Sequence, residues 1–114
     1  MTDWHEFMAE TEANIATFSK EVPQTVKGFG QMGQAAKTDG ALSTKTKEFI
    51  ALGIAIATRC DSCIGFHVRA LVTLEATRAE LCEALAMATY MGGGPSYAYS
   101  AKALAAFDEF SQGT

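Results

Sequence analysis

The chain has 114 residues, a length that supports one hydrophobic core rather than two. Hydrophobic residues make up 48% and charged residues 19%, a balance that excludes intrinsic disorder. Nine basic against thirteen acidic residues leave a net charge of -4, and no basic run is present of the kind a duplex-binding module needs. Alanine is the commonest residue and only 2 prolines occur, which suggests closely packed helices. Such a chain is either a small self-sufficient bundle or a subunit that buries more surface by oligomerising.

Taken in chain order, Trp4, Phe7, Met8, Thr11, Ile15 and Phe18 recur at spacings of three and four and predict one amphipathic helix. Val22-Pro23 interrupts it, because proline biases the preceding residue away from the helical region. A second, weaker helix spans Gln24 to about Ala36, diluted by Gly28, Gly30 and Gly33. Thr38-Asp39-Gly40 reads as a turn, and Ser43 as the N-cap of a third helix reaching about Thr58. The high apolar content of that helix predicts that it is the central, most buried one. A break near Arg59 to Asp61 leads into a fourth helix, ending near Leu74, with Asp61 as its expected cap. Thr77-Arg78-Ala79-Glu80 has the form of a capping box and opens a fifth helix. Gly92-Gly93-Gly94-Pro95 stops it near Met91, and a sixth runs from Ser96 to about Phe110. The expectation is an all-α single domain, residues 1–114, of about six short helices.

The three cysteines are Cys60, Cys63 and Cys82. An odd count with one C-x-x-C does not suit a secreted disulfide scaffold. The polar, acidic N-terminus lacks the pattern of a signal peptide, and the longest apolar run, Phe49 to Ala57, is too short to span a bilayer. A cytoplasmic location is expected. Cys60, Cys63 and His67 follow one another at helical spacing, so they share one face near the start of the fourth helix. Free backbone N–H groups there favour a thiolate, and a histidine one turn further on can take the thiol proton. If the third and fourth helices form a hairpin about Thr58–Arg59, Glu48 lies opposite His67 and can orient its imidazole.

Plainer readings accompany each of these residues. The pair could be half of a zinc site completed by His67 and by Glu48 or His5, or it could be inert. Glu48 could equally be a solvated charge near a helix start. The glycine run could cradle an anion, although a tight turn explains it more simply. Cys82 reads as a core residue, His5 as a surface residue, and Gly53 and Gly65 as points of close helix approach.

From about Leu42 to Phe110 the sequence resembles the carboxymuconolactone decarboxylase / alkylhydroperoxidase D (AhpD-like) family. Its redox branch carries a glutamate and, after about a dozen residues, C-x-x-C-x-x-x-H, matched here by Glu48, Cys60, Cys63 and His67. The resemblance implies an all-helical fold that assembles into a homotrimer or homohexamer, and a peroxidase-like thiol activity. By position, Cys63 would attack the peroxide, Cys60 would resolve the product, and His67 with Glu48 would relay protons. The implied partners are a small hydroperoxide and a thiol or dithiol reductant; no cofactor or metal is expected, and the acidic balance and short apolar run argue against nucleic acid and membrane partners. One departure is Ser62, where better-characterised peroxidase members have a second histidine; serine hydrogen-bonds but does not titrate near neutrality. Competing assignments are a metal-binding or redox-sensing protein using the same residues, and a decarboxylase or lyase on the same scaffold.

Overall fold

The computed structural model describes residues 2–113, and among them every regular element is helical. In order these are α1 (Trp4–Glu21), α2 (Pro23–Lys37), α3 (Thr44–Ala57), α4 (Asp61–Thr73), α5 (Arg78–Gly92) and α6 (Gly94–Ser111). The sequence boundaries hold to within about two residues. The glycine run is almost wholly absorbed into helices: Gly92 ends α5, Gly94 begins α6, and Gly93 alone turns the chain at φ 75°. A Cβ at Gly92 would overlap the Ser96 hydroxyl, so part of the run is fixed by close packing.

Two helical hairpins, α3–α4 and α5–α6, pack on each other around Leu52, Ile56, Ile64, Val68, Leu71, Leu81, Ala103 and Ala106. Alanines on α6 let the helix backbones approach, the role their abundance suggested. The start of α1 closes one end. Asp3 caps it by accepting from the Glu6 N–H, and the Trp4 and His5 N–H groups donate to the Glu109 carboxylate at 2.9 and 2.8 Å. Trp4 then packs edge-on against Phe7 and Phe110. Gly65 lets α1 sit close to α4, because a Cβ there would overlap the Met8 sulfur. Gly53 has nothing within reach of a Cβ, so it marks no close approach, contrary to its reading from sequence.

Beyond Met8 the first helix leaves the core, and Phe18 is 60% exposed. No residue of α2 is buried. The radius of gyration, 14.3 Å, exceeds the roughly 13 Å of a compact chain of this length, as this projecting arm requires. Nor is α3 wholly internal. Its Glu48, Leu52, Ala55 and Ile56 face inward, while Ile50 and Ile54 are more than half exposed. The surplus apolar surface therefore lies on the outer part of α1 (Ile15 and Phe18) and on α2, α3 and α5, whereas the core absorbs Trp4, Phe107 and Phe110.

Candidate functional site

The α3–α4 turn holds its residues from both sides. Helix α3 ends in a Schellman closure: the Arg59 N–H donates to the Ile56 carbonyl at 3.2 Å and the Cys60 N–H to the Ala55 carbonyl at 3.1 Å. The geometry requires a left-handed residue, and Arg59 supplies it at φ 56°. Cys60 is also the N-cap of α4, its sulfur accepting from the Cys63 N–H at 3.2 Å. Asp61, expected as the cap, instead occupies the first helical position. An extended φ and ψ at Cys60 place its sulfur, rather than the Asp61 carboxylate, over the free N–H groups.

Cys60 and Cys63 form a disulfide across this first turn, with Cα atoms 5.2 Å apart. Both are half-buried, and the Ser62 hydroxyl lies 3.6 Å from the Cys60 sulfur. One turn further along α4, His67 Nδ1–H donates to Glu48 Oε1 at 2.5 Å. The hairpin thus brings together the two residues that the sequence placed opposite one another. Glu48 is only 3% exposed, which removes the reading of a solvated charge. A carboxylate so deeply buried needs a hydrogen-bonded partner, and the imidazole is that partner. Binding Nδ1 fixes the ring and leaves Nε2 as the nitrogen free for proton exchange.

The remaining candidates lie elsewhere. His5 is exposed and stands 3.7 Å from the Glu109 carboxylate, so it does not join the cysteines. Among the described residues, no cluster of three or more His, Cys, Asp or Glu side chains is arranged to hold a metal ion. Cys82 is half-buried rather than part of the core. It lines an open hollow of about 420 Å³ between α5 and α6 with Leu85, Thr89, Tyr97 and Ser100. One contact was missed from sequence: the Lys102 ammonium on α6 stands 3.0 Å from Asp61 Oδ1. Their separation along the chain hides the pair, and no local spacing rule reaches it.

A family model for the carboxymuconolactone decarboxylase family matches residues 23–106. The chain belongs to that family, as the all-helical fold and the C-x-x-C hairpin suggested. Solved structures of similar proteins include a carboxymuconolactone decarboxylase family protein from Legionella pneumophila, 52% identical, with a TM-score of 0.92 over 95% of this chain and 96% of that one. Another, from Thermotoga maritima, is 27% identical with a TM-score of 0.82, over 92% of this chain and 90% of that one. It is described as a family member with a suggested involvement in antioxidative response. A curated relative from Cupriavidus necator, itself uncharacterised, is 36% identical over 94% of this chain and 95% of its own length.

Proposed function

We propose that the protein is a thiol-dependent hydroperoxide reductase of the antioxidant type. The observation that carries this reading is a C-x-x-C disulfide at a helix N-terminus, one turn from a histidine anchored by a buried glutamate. The suggested antioxidative role of the Thermotoga maritima relative points the same way.

In the reduced protein the Cys63 thiol loses its proton towards His67, and Glu48 stabilises the imidazolium that results. The helix N-terminus favours the thiolate. The Cys63 thiolate attacks one peroxide oxygen and the O–O bond breaks. Cys63 becomes a sulfenic acid, and the alkoxide leaves as the alcohol after taking a proton from the imidazolium. The Cys60 thiol then attacks the sulfenic sulfur, forming the disulfide and releasing water. An external dithiol restores both thiols by exchange and is itself oxidised to a disulfide. Cys60 suits the resolving role because the Schellman closure and the N-cap hold it beside Cys63 throughout.

The exposed apolar surface supports assembly with further copies of this chain, as a homotrimer or homohexamer. Phe29 and Met32 on α2, Ile50 and Ile54 on α3 and Met87 on α5 are each at least half exposed. The hollows between α2 and α3 and between α3 and α5 share Ile50 and Ile54. Contiguous apolar area of this kind marks an interaction surface.

The test is turnover of hydrogen peroxide or an organic hydroperoxide with a dithiol in excess. Cys63→Ser is expected to abolish it. Cys60→Ser is expected to stop cycling after one equivalent and leave a trappable Cys63 sulfenic acid. Full turnover in both variants would end this reading, and turnover of a carboxylated lactone that survives loss of both cysteines would replace it with a lyase.

A further inference from the structure

Asp61 lies inside the ring that the Cys60–Cys63 disulfide closes. Its carboxylate therefore belongs to the same helical turn as both sulfurs. One of its oxygens, Oδ1, is buried and makes no hydrogen bond, yet the Lys102 ammonium stands 3.0 Å away. The contact is an ion pair without hydrogen-bond alignment, so its attraction is chiefly one of charge. Lys102 reaches Asp61 from α6, and its ammonium also lies over the Tyr99 ring, 5.5 Å from the centroid. Two other charge-bearing groups lie close by along the chain. His67 and Glu48 pair with each other one turn along α4, and Arg59 in the preceding connection is exposed.

This arrangement acts differently on the two oxidation states. A disulfide carries no charge, so Asp61 has little electrostatic effect on it. A thiolate at Cys60 or Cys63 is repelled by an uncompensated carboxylate in the same helical turn. We propose that Lys102 is a positioning residue for the redox pair, which offsets the Asp61 charge and so keeps the reduced, thiolate-bearing state accessible. The proposal rests on the thiol reading above. The couple concerned is one disulfide plus two electrons and two protons giving two thiols, one of which then ionises; the dithiol reductant supplies both electrons and protons.

The experiment is a redox titration of the intact protein against reduced and oxidised dithiothreitol, with the Cys60–Cys63 state read by thiol alkylation and mass. Lys102→Met is expected to move the equilibrium towards the disulfide by about two- to five-fold, the range for a partly exposed ion pair. For this two-electron couple that is about 10 to 20 mV. Lys102→Arg is expected to stay at the wild-type value. Asp61→Asn is expected to move the equilibrium the opposite way, towards the thiols, and the double variant Asp61→Asn/Lys102→Met to return close to wild type. This opposition of sign separates a charge effect from a tether, because breaking a mere tether from either end shifts the couple in one direction. Lys102→Met at the wild-type value, or Asp61→Asn shifting the same way as Lys102→Met, overturns the proposal. A normal wild-type couple in that experiment leaves the thiol reading standing. A wild-type protein without a reversible Cys60–Cys63 couple overturns both.

Discussion

Replacing His67 by leucine tests whether the Glu48–His67 contact holds the site together. The imidazole donates at 2.5 Å to a carboxylate that is 3% exposed. Leucine is of comparable size, so the main loss is the hydrogen-bonding partner. Removing one partner of a buried pair strands the other, at a cost of roughly 3–5 kcal/mol. The His67 side chain is 24% exposed, so water can reach the vacated position, and the lower figure, about 3 kcal/mol, applies. Glu48→Gln removes the charge but keeps an oxygen that accepts from Nδ1–H, and should stay within about 1 kcal/mol of wild type. The double change Glu48→Leu/His67→Leu removes both polar groups and should recover about 2 kcal/mol relative to His67→Leu alone. Urea unfolding followed by helical circular dichroism measures all four, at one fixed protein concentration so that assembly does not alter the comparison. The reasoning fails if His67→Leu lies within about 0.5 kcal/mol of wild type, or if the double variant is no more stable than it. Peroxide turnover supplies a second readout. Glu48→Gln should slow it by about tenfold, the difference between a charge-assisted and a neutral hydrogen bond to the imidazole.

Gly65→Ala should destabilise the fold by about 1–3 kcal/mol, because the new methyl overlaps the Met8 sulfur. The same urea titration checks this, and Met8→Ala in the Gly65→Ala background should give back part of the loss. The Thr77 N–H, followed by the Lys45 ammonium, holds the Glu80 carboxyl below its ordinary value of 4.5. A depressed folded-state value means that its stabilisation is present above 4.5 and fades as pH falls through the folded value. Melting curves of wild type and Glu80→Gln should therefore be separated near neutrality and converge in acid; a constant gap contradicts the assignment. Ile54→Glu should reduce the sedimenting mass to that of one chain with the helical signal intact, since Ile54 is 59% exposed within the chain and borders two hollows.

The sequence was most legible where the rules are local. Ser43 and Thr77 mark helix starts through side-chain acceptors, and the structure places both at helix N-caps; Val22-Pro23 marks the break between the first two helices, with Pro23 itself the first residue of α2. The meeting of Glu48 and His67 followed from counting outward from a short turn, which works because both helices are regular. The errors came where two physical situations share one pattern. Ile50 and Ile54 have the periodicity of core residues, but an apolar face looks the same in sequence whether it meets its own chain or another surface. At the start of α4, aspartate is the commoner cap, yet the backbone at Cys60 decides, and its dihedral angles follow from how α3 ends. The Lys102–Asp61 pair joins residues from two hairpins and has no signature in either.

Cys60 is the last bonded residue of one helix ending and the first of the next helix start. The connection consequently contains no spare residue, and side-chain changes and length changes should have unequal effects on it. Substitution at Arg59 alters one backbone angle. An inserted residue, by contrast, advances α4 by about 100° relative to α3. His67 would then turn away from Glu48 while the cysteines kept their own spacing. Such a protein would still close its disulfide yet lose the histidine proposed to serve it, so on that reading the register of the hairpin, more than the presence of the four side chains, defines the site.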